Sequence, residues 1–183
     1  MAGDHGTRAQ RRDADEEFRE FAAARTQALY RTACLLTGGD THLAEDLVQE
    51  ALGRVYLQWH RTGLFGRRDR IDNPAGYAHT VLVRAHLTHR GRRRSGEQPR
   101  AELPDGPGAD RDPALRLTLV GALAELAPAD RAVLVLRYWE DRSVGETADV
   151  LRISSGAVRT RASRALARIR TVLGDSLGAL AER

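Results

Sequence analysis

Residues 143–170 read SVGETADVLRISSGAVRTRASRALARIR. Ser143 and Glu146 stand three apart, the spacing at which a serine hydroxyl caps a helix and a glutamate returns a hydrogen bond to the serine amide. The pattern predicts a helix of two turns over 144–151, a short turn over 152–154, and a longer helix with Val158, Ala162, Leu166 and Ile169 on its buried face. Arg161, Arg164 and Arg168 lie on the opposite side, with Arg159 and Thr160 near the start. From Ser154 to Leu173 there are five arginines and no acid. A solvated amphipathic helix would mix its charges. A one-signed second helix after a short turn instead fits a helix-turn-helix, with N-terminal residues at base edges and arginines on phosphates.

Working outward, helices are expected at about 114–126 and 129–139, opened by the cap-and-proline pair Asp112-Pro113. Upstream of them, residues 91–113 read GRRRSGEQPRAELPDGPGADRDP, dense in Pro, Gly and charge, a linker between domains. Asn73-Pro74 starts a further helix that runs to about His89. Before it come a basic loop over 60–72 and a helix from Asp40 or Thr41 to about Trp59, capped by one of those two residues. A first helix from about Glu16 closes at Gly38-Gly39. Residues 1–15, without apolar periodicity, are expected to lack structure. No strand pattern occurs. The expected fold is all-α, two small helical domains joined by a flexible linker.

Composition agrees. Of 183 residues, 42% are hydrophobic but only 5% aromatic, so the core must be built from Leu, Val and Ala. There is no lysine, and every one of the 29 basic side chains is arginine, whose planar fork suits phosphate and guanine. The net charge is +4, with a sequence pI near 9.9. One cysteine, Cys34, excludes an internal disulfide and a Cys-based zinc site, and its place in an apolar run makes it a core residue. No window approaches a transmembrane span and the N-terminus lacks a signal peptide's apolar stretch, so no membrane insertion and a cytoplasmic location are expected.

Two further segments stand out. Residues 79–100 hold six arginines, three histidines and one acid, and Arg90, Arg92, Arg93 and Arg94 fall within five positions. A helix dipole accounts for part of this, and phosphate contact for the remainder. Asp46, Gln49 and Glu50 form an acidic stretch, with Asp46 and Glu50 four apart on one face. No histidine stands beside them at a metal-ligand spacing, so the stretch reads as a docking face for a basic partner and not as a catalytic pair. His86 and His89 read as facing nucleic acid or solvent. No phosphate loop, serine elbow or catalytic dyad is found, and no enzyme activity, cofactor or metal is expected.

Together these segments resemble the extracytoplasmic-function sigma factors, and within them the short actinobacterial SigE-like group, over about residues 16–173. AEDLVQEAL (44–52) resembles the core-binding helix of sigma region 2. NPAGYAHTVLVRAHLTHRGRRR (73–94) resembles the promoter-melting and −10 helix, and residues 125–170 resemble region 4. The resemblance implies region 2 over 16–94, a linker over 95–113, region 4 over 114–173 and a tail over 174–183. It implies that Asp46, Leu47, Val48, Gln49 and Glu50 bind core polymerase, on the coiled coil of β′. It places Tyr77, Arg84, His86, His89, Arg90, Arg92, Arg93 and Arg94 on the −10 element, and Ser155, Arg159, Thr160, Arg161, Arg164 and Arg168 on the −35 element. The implied partners are RNA polymerase core, through its β′ and β subunits, and promoter DNA. An anti-sigma factor is a further partner that such proteins often have.

The sequence departs from the family pattern in places. Arg84 stands where asparagine is usual, His89 where an aromatic or Asp is common, and Arg142 where leucine is typical. Arg152 replaces the glycine of the helix-turn-helix turn, at a cost of about 1 kcal/mol if that position has positive φ. The rival reading is a stand-alone helix-turn-helix regulator, which would need neither the acidic helix nor the basic segment over 79–94.

Overall fold

The computed structural model describes residues 3–63, 71–92 and 113–181, with side chains over 12–60, 71–89 and 117–174. Among the described residues every regular element is a helix. α1 spans Gly3–Thr37, α2 Thr41–Gly63 and α3 Pro74–Arg92. α4 spans Pro113–Ala124 and α5 Pro128–Leu134, which runs straight into a π-helical turn, Val135–Trp139. α6 spans Val144–Leu151 and α7 Ser155–Ala181. Arg93, Arg94 and the segment 95–112, to which the phosphate-binding and linker expectations apply, lie outside the described residues, as do the side chains of Arg90 and Arg92.

The first bundle is α1, α2 and α3. Asp40 Oδ1 accepts from the Leu43 amide at 2.9 Å and Asn73 Oδ1 from the Gly76 amide at 2.8 Å, so both expected caps form. The stripe Leu43, Leu47, Ala51 and Val55 meets Leu29, Ala33 and Leu36 of α1 and Ala78 and Leu82 of α3 in a buried core. Cys34 is part of it, and burial pushes its thiol up to about 11, so it stays neutral. Residues 3–15 are helical, contrary to the expectation of disorder. Near their end, Asp15 pairs with His60 at 3.0 Å and accepts from the Tyr56 hydroxyl at 3.1 Å, beside a cluster of Phe18, Phe21, Tyr56 and Trp59 rings. Aromatic packing one turn further on thus carries a helix into polar sequence. At the other terminus α7 continues to Ala181, through most of the expected tail.

The second bundle is α4 to α7, and it is packed against the first. Gly38, at φ +70°, is the closest approach: a Cβ there would meet Arg131 Nη1 at 2.8 Å and the Ala124 Cβ at 2.9 Å. The guanidinium of Arg131, fully buried, donates to Leu36 O at 2.9 Å across the junction and to Ala124 O and Leu126 O at 2.8 and 3.1 Å within its own bundle. Charge-assisted bonds of this kind are about twice as strong as neutral ones, and three of them offset the cost of burying the cation. The apolar core runs continuously through both bundles.

Candidate nucleic-acid interface

Helices α2, α3, α5, α6 and α7 and the π-helical turn build the site. Ser143 caps α6 with the reciprocal pair foreseen: Glu146 N to Ser143 Oγ at 3.1 Å and Ser143 N to Glu146 Oε2 at 2.8 Å. The hydrogen bonds of Ser143 hold the Glu146 carboxyl below its ordinary pKa. α6 ends at Arg152, in the left-handed region at φ 55° and ψ 47°, the conformation the turn requires and glycine would supply without strain. The Ile153 amide then bonds back to Ala148 O at 3.1 Å, and Ile153 packs beside Val133, Ala148, Val158 and Ala162. Ser154 restarts the chain, its Oγ accepting from the Ala157 amide at 3.1 Å. The result is two helices held at a fixed angle over a small apolar cluster.

α7 buries Val158, Ala162, Ala165 and Ile169 and half-buries Leu166. Arg159, Thr160, Ser163, Arg164, Arg168 and Arg170 are exposed, and Ser155 and Arg161 are half-buried. The arginines are not equivalent. Arg161 and Arg164 both pair with Asp130 of α5, at 2.8 and 3.1 Å. Arg159, Arg168 and Arg170 make no ion pair among the described residues. Arg159 and Arg170 line a groove with Arg137, Tyr138 and Ser163, and Tyr138 and Trp139 on the π-helical turn are more than half exposed.

The acidic stretch of α2 divides in the same way. Asp46 and Gln49 face solvent, whereas Glu50 holds Arg54 at 2.6 Å and His89 of α3 at 3.0 Å. Leu47 and Val48, named with the polymerase-binding set, are buried in the bundle core, because the Leu43–Leu47–Ala51–Val55 register turns them inward. They support the acidic face from behind and do not form it.

On α3, Tyr77 is about one-third exposed and His89 is tied to Glu50. His86, expected to face nucleic acid or solvent, is fully buried: it follows Ala78 and Leu82 at intervals of one turn and shares their inward face. Arg84 does not face open solvent either. Its Nε donates to Val150 O at 3.0 Å and its Nη2 to Asp149 O at 3.1 Å, on the carbonyl end of α6 in the other bundle. Nearby, Glu140 bridges the bundles, accepting from Thr32 Oγ1 at 2.5 Å and pairing with His79 Nδ1 at 3.0 Å. Burial pushes the Glu140 carboxyl up, but the His79 and Thr32 hydrogen bonds and the charge of Arg142 outweigh it and hold it below the ordinary value.

Asp130 and Glu140 were not singled out from sequence. Asp130 reads there as an acid in a first helical turn, and Glu140 as a residue after a helix end. Among the described residues no cluster of three or more His, Cys, Asp or Glu could hold a metal, and no helix is long and apolar enough to cross a membrane.

The helix-turn-helix part of the chain, residues 122–171, matches the family model for sigma-70, region 4. Over 159 residues, 86% of both chains, the sequence is 36% identical to the RNA polymerase sigma-E factor of Streptomyces coelicolor. It is 33% identical over 146 residues to the ECF RNA polymerase sigma factor ShbA of Streptomyces griseus, covering 75% of each chain. The fold is similar to that of the Bartonella quintana sigma factor RpoE solved in complex with the anti-sigma factor NepR, with TM-score 0.63 at 21% identity over 87% of this chain and 98% of that one. The Mycobacterium tuberculosis extracytoplasmic-function sigma factor SigJ matches with TM-score 0.57 at 29% identity, over 90% of this chain and 58% of that one. With relatives this similar across both bundles, the chain belongs to the extracytoplasmic-function group of RNA polymerase sigma factors.

Proposed function

We propose that this chain binds RNA polymerase core and carries it to promoters by reading two DNA elements, one with each bundle. The observation that carries the reading is the occurrence, in one chain, of an exposed acidic face on α2 and of exposed arginines on α7, Arg159, Arg168 and Arg170, that make no ion pair among the described residues. Asp46 and Gln49 would meet the basic partner surface on β′, with Glu50 placed behind them. Ser155, Arg159 and Thr160, at the N-terminal end of α7, would enter the major groove of the −35 element while Arg168 meets phosphate. Tyr77, Arg90 and Arg92 of α3 and the following Arg93 and Arg94 would hold the opened −10 strand, with Arg84 joining them if the bundles separate.

Region 2 would occupy 16–94 and region 4 114–173, with 95–113 as the connection. The chain works by binding, in the cytoplasm, and carries out no bond chemistry of its own. A stand-alone regulator would have no use for the acidic α2 face, and the sigma-factor relatives cover both bundles. Each bundle alone binds DNA weakly, and attachment to polymerase makes the second contact intramolecular. RpoE was solved in complex with the anti-sigma factor NepR, and an anti-sigma protein is a further partner in this reading.

Run-off transcription from fragmented genomic DNA tests the function. Purified core polymerase plus this chain is expected to initiate at discrete start sites sharing two spaced sequence elements. Transcription no different from core alone overturns it.

A further inference from the structure

Asp130 sits in the first turn of α5 with its side chain 11% exposed. Arg161 Nη1 donates to its Oδ1 at 2.8 Å, and Arg164 Nη2 reaches Oδ1 and Oδ2, each at 3.1 Å. The two arginines lie three apart on α7, so one carboxylate can serve both. Arg161 is about one-third exposed and Arg164 nearly two-thirds. The carboxylate itself has little access to water, and its lone pairs are taken by guanidinium groups. α7 therefore sorts its cations. Arg161 and Arg164 are held by the scaffold helix, and Arg159, Arg168 and Arg170 make no ion pair among the described residues.

Two consequences follow from elementary electrostatics. A planar guanidinium held by a nearly buried carboxylate fixes the distance and rotation of α7 against α5, and so the direction in which Arg159 and Thr160 project. The carboxylate also cancels part of the helix's positive charge. Attraction of cations to phosphate is independent of sequence, so each arginine freed for it raises affinity for all DNA alike and adds nothing to discrimination between sequences.

We propose that Asp130 is a positioning residue for −35 recognition: it sets the aim of α7 and withholds Arg161 and Arg164 from the phosphate backbone. This rests on the reading of α7 as the −35 helix. Its effect on DNA passes through the two arginines.

The test uses the full chain bound to core polymerase, with two probes. One is a mixed-sequence duplex titrated at several salt concentrations. The other is a pool of promoter-length duplexes randomised over the −35 region and sequenced after selection. Asp130→Asn is expected to bind the mixed-sequence duplex more tightly and to steepen the log–log salt slope by about 0.9 for each arginine that reaches a phosphate. Base preference in the selected pool should weaken at the same time. Adding Arg164→Gln to Asp130→Asn should take back about 0.9 of the slope without restoring the preference.

Arg161→Gln approaches the pair from the other side and does not depend on the folding of Asp130 variants. It should loosen base preference and leave the slope at the wild-type value. A slope lowered by about 0.9 would instead put Arg161 on phosphate and overturn the proposal. A folded Asp130→Asn with wild-type slope and preference overturns it too, as does a uniform loss of affinity with preference intact. Arg159→Gln separates this failure from that of the −35 reading. If Arg159→Gln changes neither readout, the −35 assignment of α7 falls and the role of Asp130 with it. If it changes them while Asp130→Asn does not, only the role of Asp130 falls.

Discussion

Glu140, just after the π-helical turn of the second bundle, pairs at 3.0 Å with His79 on α3 of the first, and its other oxygen takes the Thr32 hydroxyl of α1. One carboxylate thereby joins three helices. With Arg84 on the carbonyl end of α6 and Arg131 on Leu36 O, it closes the two bundles on each other by polar contacts at three separate points.

The pH dependence follows from the lowered carboxyl pKa. A group whose folded pKa is depressed contributes stability above its unfolded pKa and loses it as pH falls through the folded one. Wild type is therefore expected to melt above Glu140→Gln at neutral pH. The gap should persist down to about the ordinary carboxylate value of 4.5 and narrow below it. Parallel thermal melts from pH 7 to pH 3 check this. A gap that widens as pH falls below that value would contradict the role of the ionised form.

Arg152 offers a second test, of strain. It adopts φ 55°, where a side chain costs about 1 kcal/mol relative to glycine. Arg152→Gly is expected to raise stability by about 0.5–1 kcal/mol, or roughly 1–4 °C in Tm for a chain of this size, net of the added freedom of the unfolded chain. Arg152→Ala keeps the Cβ and should gain nothing. Equal melting of the two variants would show that the turn bears no strain at this position.

The positions that could be read from sequence are those governed by neighbours along the chain. The Ser143–Glu146 box and the Asn73 cap each depend on residues within four positions, and each has the expected form. The helical class followed from apolar periodicity for the same reason. What escaped the reading depends on distant partners. Asp130 meets Arg161 from 31 positions away, and Glu140 meets Thr32 from 108. Periodicity cannot show which polar residue on one helix faces which on another. His86 escaped for a different reason: its basic surroundings suggested an exposed residue, whereas the one-turn register with Ala78 and Leu82 points it inward. Register outweighs local composition there because the core closes around α3 on both sides.

Asp46 and Glu50 looked equivalent as sequence, and the structure separates them. Glu50 is engaged with Arg54 and His89, and Asp46 has no such partner among the described residues. Asp46→Arg is expected to weaken binding to core polymerase at least tenfold, about 1.4 kcal/mol, with helix content unchanged. Glu50→Gln should act mainly on the α2–α3 contact, with a smaller effect on affinity for core. A fluorescence titration of labelled chain with core measures both. Wild-type affinity for Asp46→Arg would remove α2 from the docking surface.

The last expectation concerns the end of α3. The helix continues to Arg92, and Arg93 and Arg94 follow it in sequence. A helix of this length presents carbonyls at its C-terminus, and cations there earn about 0.3–1 kcal/mol each at low salt from the dipole alone. If that were their whole role, replacing Arg92, Arg93 and Arg94 by Ala would lower thermal stability slightly and leave promoter opening as it was. Strand holding makes a different demand. Once a duplex opens, reannealing competes with capture, and phosphate contacts to the displaced strand bear on that step more than on assembly with polymerase. The triple substitution is therefore expected to reduce permanganate reactivity of bubble thymines severalfold while core binding stays near wild type. The defect should also respond less to added salt than wild-type opening does, because each lost phosphate contact removes about 0.9 from the slope. A bubble of wild-type reactivity with the triple variant would leave these arginines with the helix dipole and assign strand capture to the exposed face of α3 around Tyr77.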